Sequence, residues 1–462
     1  MTELEQQQPK KEKKAPPPNL VIPPKKPQLT KAERRALQEK QRAEKQAGKP
    51  KDGKPSETKP STVAETKEQP SSSSIPPAKS TANPPPKPTA TTSKPHTSQE
   101  EKKDGKKVDS KAFHLFSHLP QYHEIPNPHA EEFTSTLHPE VIELGMKYAL
   151  GQIRGGNARC RAMLNVFSLV LQDYVPPPDV VDFRSHLDHF VLKPSFTFWT
   201  TRCRPHSVSM GNAFTFLKTA VASLSRDLPI DEAKEILRET IDRYLLERIE
   251  YAGRAIAEHA MTKIENGDVI LTFGNSATVS VLLTTAKKKN IDFYVWVVDS
   301  RPLFEGKTML QTLRQADIPC GYIQFHALTY VMQRVTKVFL GASALMSNGS
   351  IYGRVGSAGV ALLAKDKHIP VLICCETYKI SNKVQLESIT QNELGNPDAL
   401  THGDGETLKN WREIPNLKLL NLLYDVTPAE FVTGIVTEVG IIPPTSIAVL
   451  LREMNLQDPA YS

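Results

Sequence analysis

The stretch that decides the fold is Lys337 to Tyr378, KVFLGASALMSNGSIYGRVGSAGVALLAKDKHIPVLICCETY. Lys337 to Leu340 is a short β-branched and aromatic run ending at Gly341, and Pro370 to Cys375 is apolar, long enough for a buried strand and too short for a helix. Between them Ala358, Val360, Ala361, Leu362, Leu363 and Ala364 form a mostly apolar helical segment. Gly341, Gly349, Gly353, Gly356 and Gly359 crowd the connection before it. The pattern predicts strand, glycine-rich turn, helix, strand in a parallel sheet, and the end of the first strand is where an open α/β sheet places a ligand.

Downstream and upstream of this unit, from Asp268 onward, short apolar runs alternate with helical segments. Val269 to Phe273, Phe293 to Val298, Tyr322 to Phe325, Lys337 to Leu340, Pro370 to Cys375 and Leu417 to Tyr424 are the expected strands. Ser276 to Lys289, Lys307 to Gln315, Val355 to Lys367 and Pro428 to Glu438 are the expected helices, so the segment reads as βαβ units. Lys379 to Pro415, polar and containing Gly395, Gly403 and Gly405, reads as a surface excursion. Before Asp268 the apolar spacing is helical throughout: Pro139 to Tyr174 as two helices about Arg154-Gly155-Gly156, then Asp179 to Val191, Val208 to Leu224 and Ile230 to Glu265. An all-helical domain thus precedes the sheet.

Residues 1 to 110 lack Phe, Tyr and Trp, hold 18 of the 37 prolines, and carry 24 Lys and Arg against 14 Asp and Glu. Such a segment buries too little apolar surface to offset its ordering entropy and is expected to be disordered, with a transient charged helix at Thr30 to Gln46. Its net charge of +10 exceeds the +7 of the whole chain, so the remainder is slightly acidic and the basic balance does not describe a folded nucleic-acid groove. The tail reads as a solubilising segment, the rival being a weak RNA or ribosome contact through its lysines. The expected division is a Lys/Pro-rich tail over 1–112, a helical domain over 113–267 and an α/β domain over 268–462.

Five cysteines without a CxxC pair argue against a disulfide framework or structural zinc, and neither a signal-peptide core nor a membrane-length apolar run is present, so a cytosolic chain is expected. The histidines make no HExxH, and those from His118 to His129 are expected at the surface; no metal and no cofactor is expected. There is no GxxxxGK[ST], and Gly353, Gly356 and Gly359 are spaced GxxGxxG rather than GxGxxG. Gly274-Asn275-Ser276-Ala277-Thr278 and Gly341-Ala342-Ser343-Ala344-Leu345 both lack the final glycine of a nucleophile elbow. One constellation is left: Arg154, Arg204, Arg301 and Arg354, three of them where strand ends, glycines and helix starts converge, which suits an anion such as a phosphate. The competing reading pairs them with carboxylates such as Asp299, Glu305 and Glu376.

The strings ILTFGNSATVS, VVDSRPLFEGKTML, GASALMSNGSIYGRVGSAGVALLA, VLICCETYK and LLYDVTPAEFVTGIVTEVGIIP, with IRGGNARC and CRPHSVSMGNA upstream, carry a resemblance. They resemble the family joining the alpha, beta and delta subunits of eukaryotic translation initiation factor 2B to the aldose-ketose isomerases of methylthioribose 1-phosphate and ribose 1,5-bisphosphate. The resemblance runs from Phe113 to the C-terminus, and within the family the basic tail, LFSHLPQY, and VVDSRP with CCETYK are most like one subunit branch. It implies a helical N-terminal domain followed by a Rossmann-like domain. The isomerases share a THCN motif whose Cys moves a proton and a GAD motif whose Asp is its partner; the matching positions here are Gly274 and Ser343. A glycine has no side chain and an unperturbed serine is no acid or base near neutral pH, so the catalytic pair is lost. Their NKIG lysine becomes Arg354, which keeps charge but not geometry.

The resemblance therefore implies a non-catalytic regulatory subunit of the guanine-nucleotide exchange complex for initiation factor 2. It implies direct pairing with the beta subunit, association with alpha, gamma and epsilon, and sensing of the factor phosphorylated on its alpha subunit. Two rivals stand beside it: an isomerase with a displaced catalytic pair, and a scaffold that binds a sugar phosphate or nucleotide without turning it over.

Overall fold

The computed structural model describes residues 113–122, 137–402 and 408–457, with side chains to 454. The tail over 1–112, its Thr30 to Gln46 helix, the histidines beyond residue 122 as far as His129, and Gly403 and Gly405 lie outside the described residues.

Helix α1, Pro139–Ala149, starts where Pro139 supplies a ready φ and His138 Nδ1 accepts the Glu140 N–H at 3.3 Å. Gly155, at φ +85°, sets the approach to α2, Gly156–Asp173. The third helical run begins later than expected, at Phe183, where Asp182 caps the start by accepting the Arg184 N–H. It also runs longer: α3, Phe183–His186, passes through a π turn, Leu187–Leu192, into α4, Lys193–Thr197, and a second π turn, Phe198–Cys203. Helix α5, Val208–Ser223, follows, then α6, Ile230–Tyr244, a π turn over Leu245–Tyr251, and α7, Ala252–Met261, in one continuous rod. Trp199 centres this half, fully buried, edge-on to Phe167 and Tyr148, its indole N–H donating to the Val141 carbonyl at 2.7 Å.

The sheet comprises β1 (Asp268–Phe273), β2 (Phe293–Asp299), β3 (Cys320–Gln324), β4 (Lys337–Gly341), β7 (Val371–Cys374), β10 (Gly434–Thr437) and β11 (Gly440–Ile442), in the order β11-β10-β7-β4-β1-β2-β3. All neighbours are parallel except β10 with β11. Helices α7, α8 (Ala277–Lys288) and α9 (Gly306–Gln315) cover one face, where Ile270, Val295 and Phe339 are buried. On the other face α10 (Leu328–Met332), α11 (Ser357–Asp366) and α12 (Ile447–Gln457) cover Leu271, Val338 and Ile373. Burial on both faces explains why the inner strands β1, β4 and β7 read as short, mostly apolar runs.

Several local expectations are corrected. The glycine-rich connection after β4 holds a hairpin, β5 (Ala344–Met346) and β6 (Ile351–Arg354), turning at Asn348-Gly349 with Gly349 at φ +81°. It belongs to a second sheet, ordered β8-β5-β6-β9, with β8 at Ile380–Ser381 and β9 at Tyr424–Thr427. Of the strand expected over Leu417 to Tyr424 only Tyr424 enters a strand, while Leu422 makes one bridge to Leu394. Pro428 to Glu438 is not a helix: after a 3-10 turn at Ala429–Phe431, β-branched Ile435, Val436 and Thr437 are wholly buried in β10 beside β7. The excursion from Lys379 to Pro415 is only partly superficial, since Lys379, Ile380, Ser381 and Trp411 are buried.

The two halves meet through the segment after β7. The Tyr378 ring is buried among the helical core residues, edge-on to Tyr244, and its hydroxyl donates to Asn157 Oδ1 at 2.7 Å. Asn212 Nδ2 donates to the Tyr378 and Ile380 carbonyls at 2.9 and 3.0 Å. Glu376, fully buried, accepts from Asn157 Nδ2 at 2.6 Å and Thr278 Oγ1 at 2.9 Å and pairs with Lys379 Nζ at 2.6 Å.

Candidate functional site

Strand β1 is where the chain reverses its direction of travel across the sheet: β2 and β3 lie to one side, β4, β7 and β10 to the other. The crevice above the carboxyl ends of β1 and β4 is the expected ligand position of such a sheet. Gly274 follows β1 with φ +62°, its N–H donating to the Val298 carbonyl at 2.8 Å. Ser276 caps α8, and a Cβ on Gly341 at the end of β4 would lie 2.2 Å from its Oγ, so only glycine fits there. Ser343 lies in the approach to β5, its N–H donating to the Tyr352 carbonyl at 2.9 Å. Neither position carries a group able to move a proton at neutral pH.

Each of the four arginines is engaged within the chain. Arg354, at the end of β6, grips Glu305 with two bonds, Nε to Oε2 at 2.9 Å and Nη2 to Oε1 at 2.6 Å, and lies 5.0 Å over the Tyr424 ring. Burial opposes its charge, but Tyr424 and Glu305 more than compensate and hold its pKa above the ordinary guanidinium value. Arg204 donates from Nε to Glu393 at 2.5 Å; burial likewise disfavours its charge and Glu393 restores it, leaving its pKa raised. Arg154 donates to the Gly151 carbonyl at 2.7 Å and reaches Leu303 at 3.5 Å, and Arg301 donates to the His402 carbonyl at 2.8 Å. Of the three carboxylates expected as partners, Glu305 takes an arginine, Glu376 takes Lys379, and Asp299 accepts from Tyr322 at 2.8 Å.

Gly274, Arg301, Glu305, Arg354 and Leu422 surround what remains of the crevice, a cavity of about 20 Å³. That holds on the order of one water, whereas pockets for metabolites enclose several hundred cubic ångströms. The amino end of α11, the other anion-binding element, is occupied by Asp425, which accepts from the Gly356 and Ala358 N–H groups at 2.7 and 3.0 Å. Burial pushes the Asp425 carboxyl up to about 6 against these two bonds. Burial keeps these thiols protonated at neutral pH: it pushes the buried Cys160 and the partly buried Cys203 up to about 12, and the buried Cys374 and Cys375 further.

The sequence reading passed over Glu393 and Lys379, which complete the two ion pairs, and Arg159. Arg159 is buried, donates to the Pro205 carbonyl at 2.6 Å, and is brought down to about 10 by burial and then by Arg204. The spacing of Glu376 and Lys379 in CCETYK was the available signal for one pair; nothing local connects Arg204 with Glu393, 189 positions away. Among the described residues no helix is long and apolar enough to cross a membrane, and no three His, Cys, Asp or Glu side chains converge as for a metal.

Residues 152–444 match the Initiation factor 2 subunit family. The translation initiation factor eIF2B subunit delta of Schizosaccharomyces pombe is 42% identical over 354 residues, covering 75% of this chain and 74% of that protein. Delta is the branch that the tail, LFSHLPQY and CCETYK resemble. A ribose 1,5-bisphosphate isomerase of Thermococcus kodakarensis is 31% identical over 68% of this chain and 94% of its own length. The crystal structure of a tetrameric eIF2B-beta2-delta2 complex from C. thermophilum contains a chain 31% identical, matched over 72% of this chain and 100% of that one with a TM-score of 0.62.

Proposed function

Since the chain belongs to the Initiation factor 2 subunit family, we propose that it is a non-catalytic regulatory subunit of the guanine-nucleotide exchange complex for translation initiation factor 2. The observation that carries this is the closed crevice: about 20 Å³, with Gly274 and Ser343 at the ends of β1 and β4 and the arginines engaged internally. An isomerase needs an open pocket and a proton shuttle; this crevice offers neither, and at that position it gives a sugar phosphate or nucleotide no room.

In this reading the chain pairs directly with a beta subunit, joins alpha, gamma and epsilon in the cytosol, and contributes to sensing of the phosphorylated alpha subunit of the factor. The pairing is supported by the beta2-delta2 relative. The helical part, over 113–267, faces the phosphorylated factor, and the Rossmann-like part, over 268–462, supports pairing. A phosphoprotein inhibits only by binding one state of the exchange complex better than another, so sensing and assembly are separable.

The test is co-purification with beta followed by an exchange assay with and without phosphorylated factor. Charge reversals at the exposed Glu239, Asp242 and Arg243 of α6 belong in a panel across the exposed helical faces. Some variants should keep all subunits and normal exchange yet resist inhibition. Failure to capture beta, or desensitised variants confined to the sheet half, would refute the reading.

A further inference from the structure

A second cavity, about 660 Å³, lies between α2, the α6–α7 rod and α8. It is separate from the crevice above β1 and β4: none of Arg154, Arg204, Arg301, Arg354, Gly274 or Ser343 lines it. Its volume is that of a small-molecule site, and its walls include Ile249, Val281 and Ala162.

Two features give it a chemistry. At its mouth Arg161 and Arg254 share the single carboxylate of Glu250, at 2.9 and 4.0 Å, which leaves one positive charge in excess. At its floor the charge of Glu376 is balanced by Lys379, so the floor adds hydrogen-bonding groups without adding charge. The second feature is Gly253, inside the continuous α6–α7 rod, where glycine is less favourable than alanine. No close packing demands it, because a Cβ built there meets nothing within 4 Å. A bare helix wall beside apolar side chains and a cationic rim leaves space shaped for an amphipathic occupant.

We propose that this cavity binds a small organic anion with an aromatic or branched apolar body. The acid group, carboxylate or phosphate, is held by Arg161 and Arg254, and the body lies against Gly253, Ile249 and Val281. The floor joins Asn157 of the helical half to Thr278 and Glu376 of the sheet half. An occupant therefore touches both halves and stabilises their junction by mass action.

The purified full chain is titrated with 1-anilinonaphthalene-8-sulfonate, an aromatic anion whose fluorescence reports burial, and the complex is challenged with benzoate and with phenyl phosphate. One saturable site per chain is expected, displaced by benzoate if the natural acid is a carboxylate and by phenyl phosphate if it is a phosphate ester. Gly253→Leu, which fills the space, and the surface pair Arg161→Ala with Arg254→Ala should each weaken the dye about tenfold, as for loss of a charge-assisted contact. Helical circular dichroism should be unchanged. The absence of a saturable site, displacement by neither competitor, or unchanged affinity in the arginine double variant would overturn the assignment, and that surface variant decides the matter should Gly253→Leu fail to fold.

Discussion

Replacing Glu376 by Gln keeps the volume of the side chain and removes its charge. The carboxylate is wholly buried, accepts from Asn157 and Thr278, and lies 2.6 Å from Lys379, which is itself 6% exposed. Glu376→Gln therefore leaves an ammonium in the interior without its counter-charge, a change that costs about 3–5 kcal/mol. Lys379→Met strands the carboxylate, but Asn157 and Thr278 still donate to it, so about 3 kcal/mol is expected. The double variant removes both charges and should lose only the difference in hydrogen bonding, about 1–2 kcal/mol, giving a coupling energy of about 4–7 kcal/mol. The pH dependence follows from the two shifts. Burial raises the Glu376 pKa, but Lys379 and the hydrogen bonds more than reverse this and leave it below its usual 4.5; its contribution is present above that value and is lost as pH falls through the lower folded value. Lys379 is opposed by burial and held above its usual 10.5 by Glu376; its contribution is present below that value and lost as pH rises through the higher folded one. Urea denaturation of the four proteins, followed by circular dichroism between those limits, measures the cycle. A Glu376→Gln cost below about 1 kcal/mol, or single costs that simply add in the double variant, would refute the mutual dependence of the pair.

Two further outcomes are expected. Gly274→Cys with Ser343→Asp supplies the residue types that the resemblance assigns to the isomerases but should give no turnover of ribose 1,5-bisphosphate, because the cavity of about 20 Å³ admits no sugar phosphate. The cysteine at φ +62° should also destabilise by about 1–2 kcal/mol; turnover requiring both substitutions would contradict the closed crevice. Asp425 has a folded pKa of about 6, raised by burial from 3.8, so ionising it opposes folding and stability falls as pH climbs through that interval, by up to about 3 kcal/mol. Asp425→Asn, which cannot ionise, should match or exceed the wild type at pH 7.5 and lose that advantage at pH 4; equal pH slopes in the two proteins would exclude Asp425 as the source.

Periodicity alone was enough for the two-part architecture. A helix buried along one face repeats its apolar residues every three to four positions, and a strand covered on both faces is mostly apolar; α1, α2, α5 to α7 and β1, β2 and β4 all show one pattern or the other. That Gly274 and Ser343 carry no group able to move a proton at neutral pH was also legible, since side-chain identity alone decides it. The second sheet was not. Its strands are two to four residues long and drawn from three separated segments, and Gly-rich flanks around Asn348-Gly349 look the same in a ligand loop as in a hairpin. For Pro428 to Glu438 the same β-branched residues suit either element until β7 supplies the pairing edge for β10. The fate of the arginines belonged entirely to the tertiary structure. A guanidinium of given sequence context binds whichever anion the fold brings within about 3 Å, and it is the path of the chain that brings Glu305 to Arg354 across 49 positions and Glu393 to Arg204 across 189.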